Sequence, residues 1–171
     1  LVGEMLPLLM LTYDPAMPGV MQLKPRKKGA LLDKARLLTI GVTGVVRGLI
    51  STAVFIAVFR AHTGKAGAWE TWLSATFVTI VMTQFIGIFY LRGTGRLLSA
   101  ELFSNLWLFV GIGLSALAMI AIVYVPALNI YLHTRPLAAG DIQVVALGLA
   151  VFAVFSSAYR LLSGRLQAHS G

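Results

Sequence analysis

The chain has 171 residues, 58% of them hydrophobic and 12% charged, against the ~45–50% apolar usage of soluble domains, which excludes an ordinary water-soluble globule. Fourteen basic residues against six acidic ones leave a net charge of +8; read by position along the chain, that charge marks a membrane orientation and no nucleic-acid partner. The absence of cysteine excludes disulfides, thiolate metal sites and cysteine nucleophiles.

In chain order, the first feature is an apolar run at residues 1–12, broken by Glu4 and Pro7 and preceded by no basic stretch. It is not a signal peptide. A spanning helix needs about 20 apolar residues, because a rise of ~1.5 Å per residue must cross ~30 Å of hydrocarbon. Residues 1–12 therefore read as the end of a truncated transmembrane helix, and the chain as the interior of a longer protein. A basic loop follows at 13–36, then transmembrane helices at 37–59, 72–90, 105–128 and 142–159, and a tail at 160–171. The predicted fold is all-α: an integral membrane helical bundle in which four transmembrane helices follow a partial fifth, forming a single membrane domain.

Loop charge predicts the orientation. Lys24, Arg26, Lys27, Lys28, Lys34 and Arg36 precede the first complete span, Arg92 and Arg96 lie between the second and third, and Arg160 and Arg165 lie in the tail, which makes ten on one side. The other side carries Arg60, Lys65 and Arg135. Short loops rich in Lys and Arg stay cytoplasmic, so the C-terminus is expected in the cytoplasm and the protein in a membrane, with the plasma membrane as the expected one. The pairs Gly44 and Gly48, Gly111 and Ser115, and Ala146 and Ala150 have the spacing that lets helices approach closely in lipid.

Polar side chains at membrane depth are costly and are functional candidates until a structural partner is found. Three fall in one slab: Glu4 roughly 12 Å from the end of its helix, Arg47 roughly 15 Å past residue 37, and Gln84 roughly 10 Å before residue 91. Pro7 removes a backbone donor one turn from Glu4, and freed carbonyls beside a carboxylate make an oxygen-rich cation site. The structural alternative is a glutamate hydrogen-bonded to a neighbouring helix. Gln84 offers an amide oxygen to a hard cation or, alternatively, a hydrogen bond between helices. Arg47 is expected to snorkel or to pair inside the bundle, and its depth makes it a possible charge partner of Glu4 that would favour the ionised carboxylate and compete with a bound cation.

No phosphate-binding loop and no His/Glu metal cluster is present, since His62, His133 and His169 are scattered. Asp33-Lys34-Ala35 only begins like a phosphorylation motif, so this chain is not expected to hydrolyse ATP alone.

The order of features from Glu4-Met5-Leu6-Pro7 through Asp14-Pro15, Met21 and Lys24-Pro25-Arg26 resembles the end of the sixth transmembrane helix and following loop of the P-type cation-transporting ATPases. The resemblance continues through Gln84, Leu91-Arg92, Leu97-Leu98 and Phe103-Ser104-Asn105-Leu106-Trp107-Leu108. It extends to Tyr124-Val125-Pro126-Ala127-Leu128, Thr134-x-Pro136-Leu137 and Asp141, and so covers essentially the whole chain.

It implies the C-terminal region, sixth through tenth helix, of the branch that includes calcium, sodium/potassium, proton and magnesium pumps. By that resemblance Glu4 is a direct cation ligand and Gln84 a further one from the eighth helix. The chain departs from the pattern at Gly3, where the family has threonine, at Gln84, which replaces a carboxylate, and at Ser157-x-x-Arg160, where the family has Glu-x-x-Lys. The resemblance further implies a transported cation, ATP and magnesium in a full-length parent, and as partners the bilayer, the preceding helices and the cytoplasmic domains. This chain itself is expected to hold no cofactor. The rival reading is a stand-alone helical membrane subunit that binds a partner and moves no ions.

Overall fold

The computed structural model describes residues 2–13, 34–92 and 106–168. They form six helices: α1 (Val2–Met10, continued by a 3-10 turn, Leu11–Tyr13), α2 (Lys34–His62), α3 (Ala68–Arg92), α4 (Leu106–Tyr124), α5 (Pro126–Leu132) and α6 (Ala139–Ala168). No strand occurs among the described residues. Most of the basic loop, the motifs Asp14-Pro15, Met21, Lys24-Pro25-Arg26, Leu97-Leu98 and Phe103-Ser104-Asn105, the Asp33 position and His169 lie outside the described residues.

Among the described residues, four helices are long and apolar enough to cross a membrane, over Leu37–His62, Ala68–Tyr90, Leu106–Tyr124 and Ala139–Arg160. The chain is thus an all-α helical membrane bundle. Helices α2, α3 and α6 pack mutually, while α4 packs on α1 and α3. The most enclosed span is α3, the one that carries Gln84.

The distribution of side chains is that of a protein whose solvent is lipid. Val45, Leu49, Leu117, Leu147 and Val154 are exposed, whereas Ser74, Thr79, Thr83 and Ser115 are fully buried. Hydrocarbon is as apolar as leucine, so burying leucine gains little there, and close contact between small side chains holds helices together instead. The buried hydroxyls of α3 are satisfied by backbone carbonyls three or four residues back along the chain. Thr71 donates to the Gly67 carbonyl at 3.0 Å, Ser74 to Glu70 at 2.8 Å, Thr79 to Ala75 at 2.7 Å and Thr83 to Ile80 at 2.9 Å. Such back-bonding lets a polar side chain sit in an apolar interface without leaving a donor unpaired.

Of the three small-residue pairs, Gly111 and Ser115 are buried, and a Cβ at Gly111 would meet the Leu6 carbonyl oxygen at 3.2 Å and Met10 Cγ at 2.8 Å. That is the close approach of α4 to α1. The other two pairs are not packing faces here: a Cβ at Gly44 or Gly48 meets nothing within 4 Å, and Ala146 and Ala150 are exposed. On α6 the close approach falls at Gly148, where a Cβ would lie 2.8 Å from Val54 on α2.

The helix expected as one span over 105–128 divides. Helix α4 ends at Tyr124 and α5 begins at Pro126, because proline has no N–H to close on the Ile122 carbonyl four residues back. Thr134 Oγ1 donates to that carbonyl at 2.6 Å, and the Asn129 side-chain amide donates to the next one, of Val123, at 3.2 Å. At the same end of the bundle, Val54, Val58, Ala75, Val123, Leu137 and Val145 form one core cluster; Val81, Phe85 and Met119 form a second between α3 and α4.

Candidate functional site

Helix α2 runs antiparallel to α3, which brings Arg47, ten residues past Leu37, level with Gln84, six residues before Tyr90. An Arg47 Nη1 hydrogen donates to Gln84 Oε1, and Nη2 donates to the Thr83 carbonyl at 3.4 Å. The guanidinium carbon lies 5.6 Å from the ring centroid of Phe152 on α6, and this ring is 1% exposed, so a cation–π contact completes the seat. Space for it comes from Gly87, where a Cβ would stand 2.6 Å from Arg47 Nη2. One long cation from α2 is thereby gripped by two other helices through an amide, a backbone carbonyl and an aromatic face.

A cavity of about 460 Å3 opens beside this cluster. Arg47, Gln84 and Phe152 line its floor; Thr39, Tyr159 and Arg160 line the end nearer the start of α2; and Leu8 and Leu11 of α1 line one side. Thr39 Oγ1 and the Tyr159 hydroxyl are 3.3 Å apart across α2 and α6. The Tyr90 hydroxyl donates to the Ala153 carbonyl at 2.8 Å and lies 2.5 Å from Ser157 Oγ, tying α3 to α6 at the wall of the cavity, which Tyr90 lines. Ser157 and Arg160, the residues at the Glu-x-x-Lys positions, thus serve respectively a helix contact and the cavity lining.

Residue 4 stands on α1 one turn before Pro7; the Glu4 side chain lies outside the described residues. Pro7 is fully buried inside α1 and cannot donate to the Gly3 carbonyl. In the register of α1, position 4 shares a face with positions 8 and 11, whose leucines line the cavity. Gln84 and Arg47, taken from the sequence as an ion ligand and a possible partner of Glu4, are brought together with each other. In this conformation the Gln84 oxygen serves a guanidinium.

Sequence reasoning missed the seat of Arg47. Gly87 carried the available signal, a glycine three residues from a glutamine at membrane depth in an otherwise bulky helix. Phe152 carried none, since nothing in an apolar run distinguishes one phenylalanine as a cation's platform. A second polar group joins His62 and Asp141: His62 Nδ1 lies 3.6 Å from Asp141 Oδ1 and 3.1 Å from the Val58 carbonyl. Among the described residues, no three His, Asp or Glu side chains gather as a metal site.

Residues 1–162 match the sequence family described as cation transporting ATPase, C-terminus. The chain is 29% identical over 165 residues to a calcium-transporting ATPase of Bacillus subtilis, an alignment covering 95% of this chain and 18% of that protein. It is 28% identical over 145 residues to calcium-transporting ATPase 1 of Bacillus cereus, covering 77% of this chain and 16% of the relative. It is also 28% identical over 155 residues to the probable cation-transporting ATPase F of Mycobacterium tuberculosis, covering 87% and 16%. The chain therefore spans under a fifth of the length of these relatives. With a helical membrane bundle on the page and the family match running through nearly all of it, the chain belongs to the cation-transporting ATPase C-terminal family.

Proposed function

We propose that the chain is the membrane portion of an ATP-driven P-type cation pump of the calcium, sodium/potassium and magnesium-like branch, contributing part of the cation site and the scaffold around it. The observation that carries this reading is the family match over residues 1–162. Glu4 is the principal cation ligand, helped by the carbonyl that Pro7 leaves without a helical donor. Gln84 joins it when Arg47 releases its oxygen, and Arg47 is the fixed charge that Glu4 and the cation share. The register of α1 supports this, since position 4 lies on the face whose Leu8 and Leu11 line the cavity with Arg47 and Gln84.

The basic end of the bundle is cytoplasmic, the expected membrane is the plasma membrane, and the segments 1–12, 13–36 and 160–171 are the end of a sixth helix, a cytoplasmic loop and a cytoplasmic tail. The remaining helices and the ATP- and magnesium-binding domains belong to the rest of the pump. Glu4→Gln in the intact pump tests the reading through cation-dependent phosphorylation by ATP. The expected result is a cation requirement raised about tenfold or more, the scale of one lost ligand at ~1.4 kcal/mol per decade. An unchanged requirement removes Glu4 from the site.

A further inference from the structure

Between Phe109 and Val123, helix α4 carries one polar side chain, Ser115, and it is fully buried. A hydroxyl enclosed at membrane depth calls for an acceptor, and the register of α4 against α1 says which one is level with it. Near the start of α4 the Trp107 ring lies 6.4 Å from that of Tyr13. One turn on, a Cβ at Gly111 would meet Met10 and the Leu6 carbonyl oxygen. The two helices therefore run antiparallel, and each turn of α4 steps back about one turn along α1. Ser115 is a further turn on and only about 40° round the helix from Gly111, so it stands level with the turn before Leu6, which holds the Gly3 carbonyl. That carbonyl is the one from which Pro7, itself fully buried inside α1, withholds a helical donor. Because Gly111 has no side chain, the backbones approach closely enough for a short serine to reach main chain.

We propose that Ser115 is a positioning residue of the cation site: its hydroxyl donates to the Gly3 carbonyl and so holds the opened turn of α1, with Glu4 next along the chain, in the shape that receives the ion. This role rests on the reading of Glu4 as a cation ligand. The same device is present at the other proline inside the bundle, where Thr134 donates at 2.6 Å to the Ile122 carbonyl that Pro126 leaves without a helical donor. A carbonyl oxygen has two lone pairs, so Gly3 can accept from Ser115 and still offer its other lone pair to a cation. Helix α4 then serves the site without touching the ion, by fixing the face of α1 opposite to the one that positions 4, 8 and 11 share.

The test uses the intact pump and its cation-dependent phosphorylation by ATP, titrated in turn with calcium, potassium and sodium. Ser115→Ala removes one oxygen and keeps the volume. It is expected to raise the requirement for the activating cation about fivefold, the scale of one neutral hydrogen bond, with the maximal phosphoenzyme level retained. Pro7→Ala returns a backbone N–H to the Gly3 carbonyl, and in that background Ser115→Ala is expected to leave the requirement unchanged. Where Pro7→Ala abolishes phosphorylation, the unfolding temperatures of the four proteins in detergent carry the same cycle, with a smaller loss from Ser115→Ala expected in the Pro7→Ala protein. Equal effects in the two backgrounds give the hydroxyl another partner, and a lower phosphoenzyme level at an unchanged cation requirement leaves Ser115 a packing role; either result overturns the proposal. Glu4→Gln, measured alongside, separates the two failures. An unchanged requirement in Glu4→Gln overturns Glu4 as a ligand, whereas a raised requirement there with a wild-type one in Ser115→Ala overturns the role of Ser115 alone.

Discussion

Thr134 gives its hydroxyl hydrogen to the Ile122 carbonyl at 2.6 Å, the one carbonyl of α4 that Pro126 deprives of its helical donor. Thr134 is 8% exposed, and it follows a residue in the left-handed region, His133 with φ of 52°, which turns the chain back so that residue 134 reaches residue 122. Two features that look unrelated in the sequence, a proline and a threonine eight positions later, are the two halves of one hydrogen bond.

Thr134→Val keeps the shape and removes the donor, leaving a carbonyl unsatisfied at the end of α4. The expected loss of stability is about 1–3 kcal/mol. Pro126→Ala restores a backbone N–H, so the same Thr134→Val change in a Pro126→Ala background is expected to cost clearly less. A double-mutant cycle on reversible unfolding in detergent measures the difference; equal costs in the two backgrounds would dissolve the link.

How far the sequence went follows from the same logic. The four spans were legible because hydrocarbon thickness sets a length that composition alone can meet, and the family was legible because Glu4-Met5-Leu6-Pro7 and Tyr124-Val125-Pro126 are ordered motifs. The break at Pro126 was not carried through, because apolar residues continue past it and hydropathy does not register a lost donor. The small-residue pairs illustrate a second limit: spacing identifies where backbones can approach, but Gly111 meets α1 while Gly44 meets nothing within 4 Å, a choice made by partners on other helices. Arg47 and Gln84 were singled out by depth, and their mutual hydrogen bond needed the antiparallel register of α2 and α3. Gln84 was weighed there as an ion ligand and as a bond between helices; the second is what this conformation contains.

Gly87→Ala distinguishes a packing glycine from an incidental one. Alanine in an exposed helix position stabilises by about 0.5–1 kcal/mol relative to glycine, but at Gly87 its Cβ would stand 2.6 Å from Arg47 Nη2 and displace the guanidinium from Gln84. The substitution is expected to destabilise by about 1–3 kcal/mol in the wild-type background and to become neutral or stabilising once Arg47→Ala has emptied the space. The sign change, read from unfolding midpoints of the four proteins, is the observable.

Arg47→Lys is not a conservative change at this seat. A lysine carries the charge, but its ammonium has neither the planar fork that reaches Gln84 and Thr83 together nor the face that lies over Phe152. The expected cost is about 1–3 kcal/mol, a large share of it from the buried acceptors left poorly paired. Phe152→Leu, which removes the ring and keeps the apolar volume, is expected to cost less in the Arg47→Lys protein than in the wild type, because the cation–π contact is already weakened. Additive costs would show that the ring acts through packing alone.

Asp141 holds the start of α6 in two ways. Its Oδ2 accepts the Ala138 backbone N–H at 3.1 Å, the reach-back of a capping box from the third helical residue, and its Oδ1 lies 3.6 Å from His62 Nδ1 at the end of α2. Asp141 is 4% exposed, while the His62 side chain that faces it is partly open. Asp141→Asn keeps an oxygen for the cap and loses the charge, so its cost measures the contact with His62; Asp141→Ala loses both and is expected to cost about 1–2 kcal/mol more, the value of a cap and a buried donor left without a partner. Combining each with His62→Gln separates the two contributions: the Asp141→Asn cost should largely vanish in that background, because the histidine it would have faced is gone, while the extra cost of Asp141→Ala should survive, because the Ala138 N–H remains. Hydrogen exchange at Ala138 and the first turn of α6 provides the local readout, with faster exchange in Asp141→Ala and near wild-type exchange in Asp141→Asn.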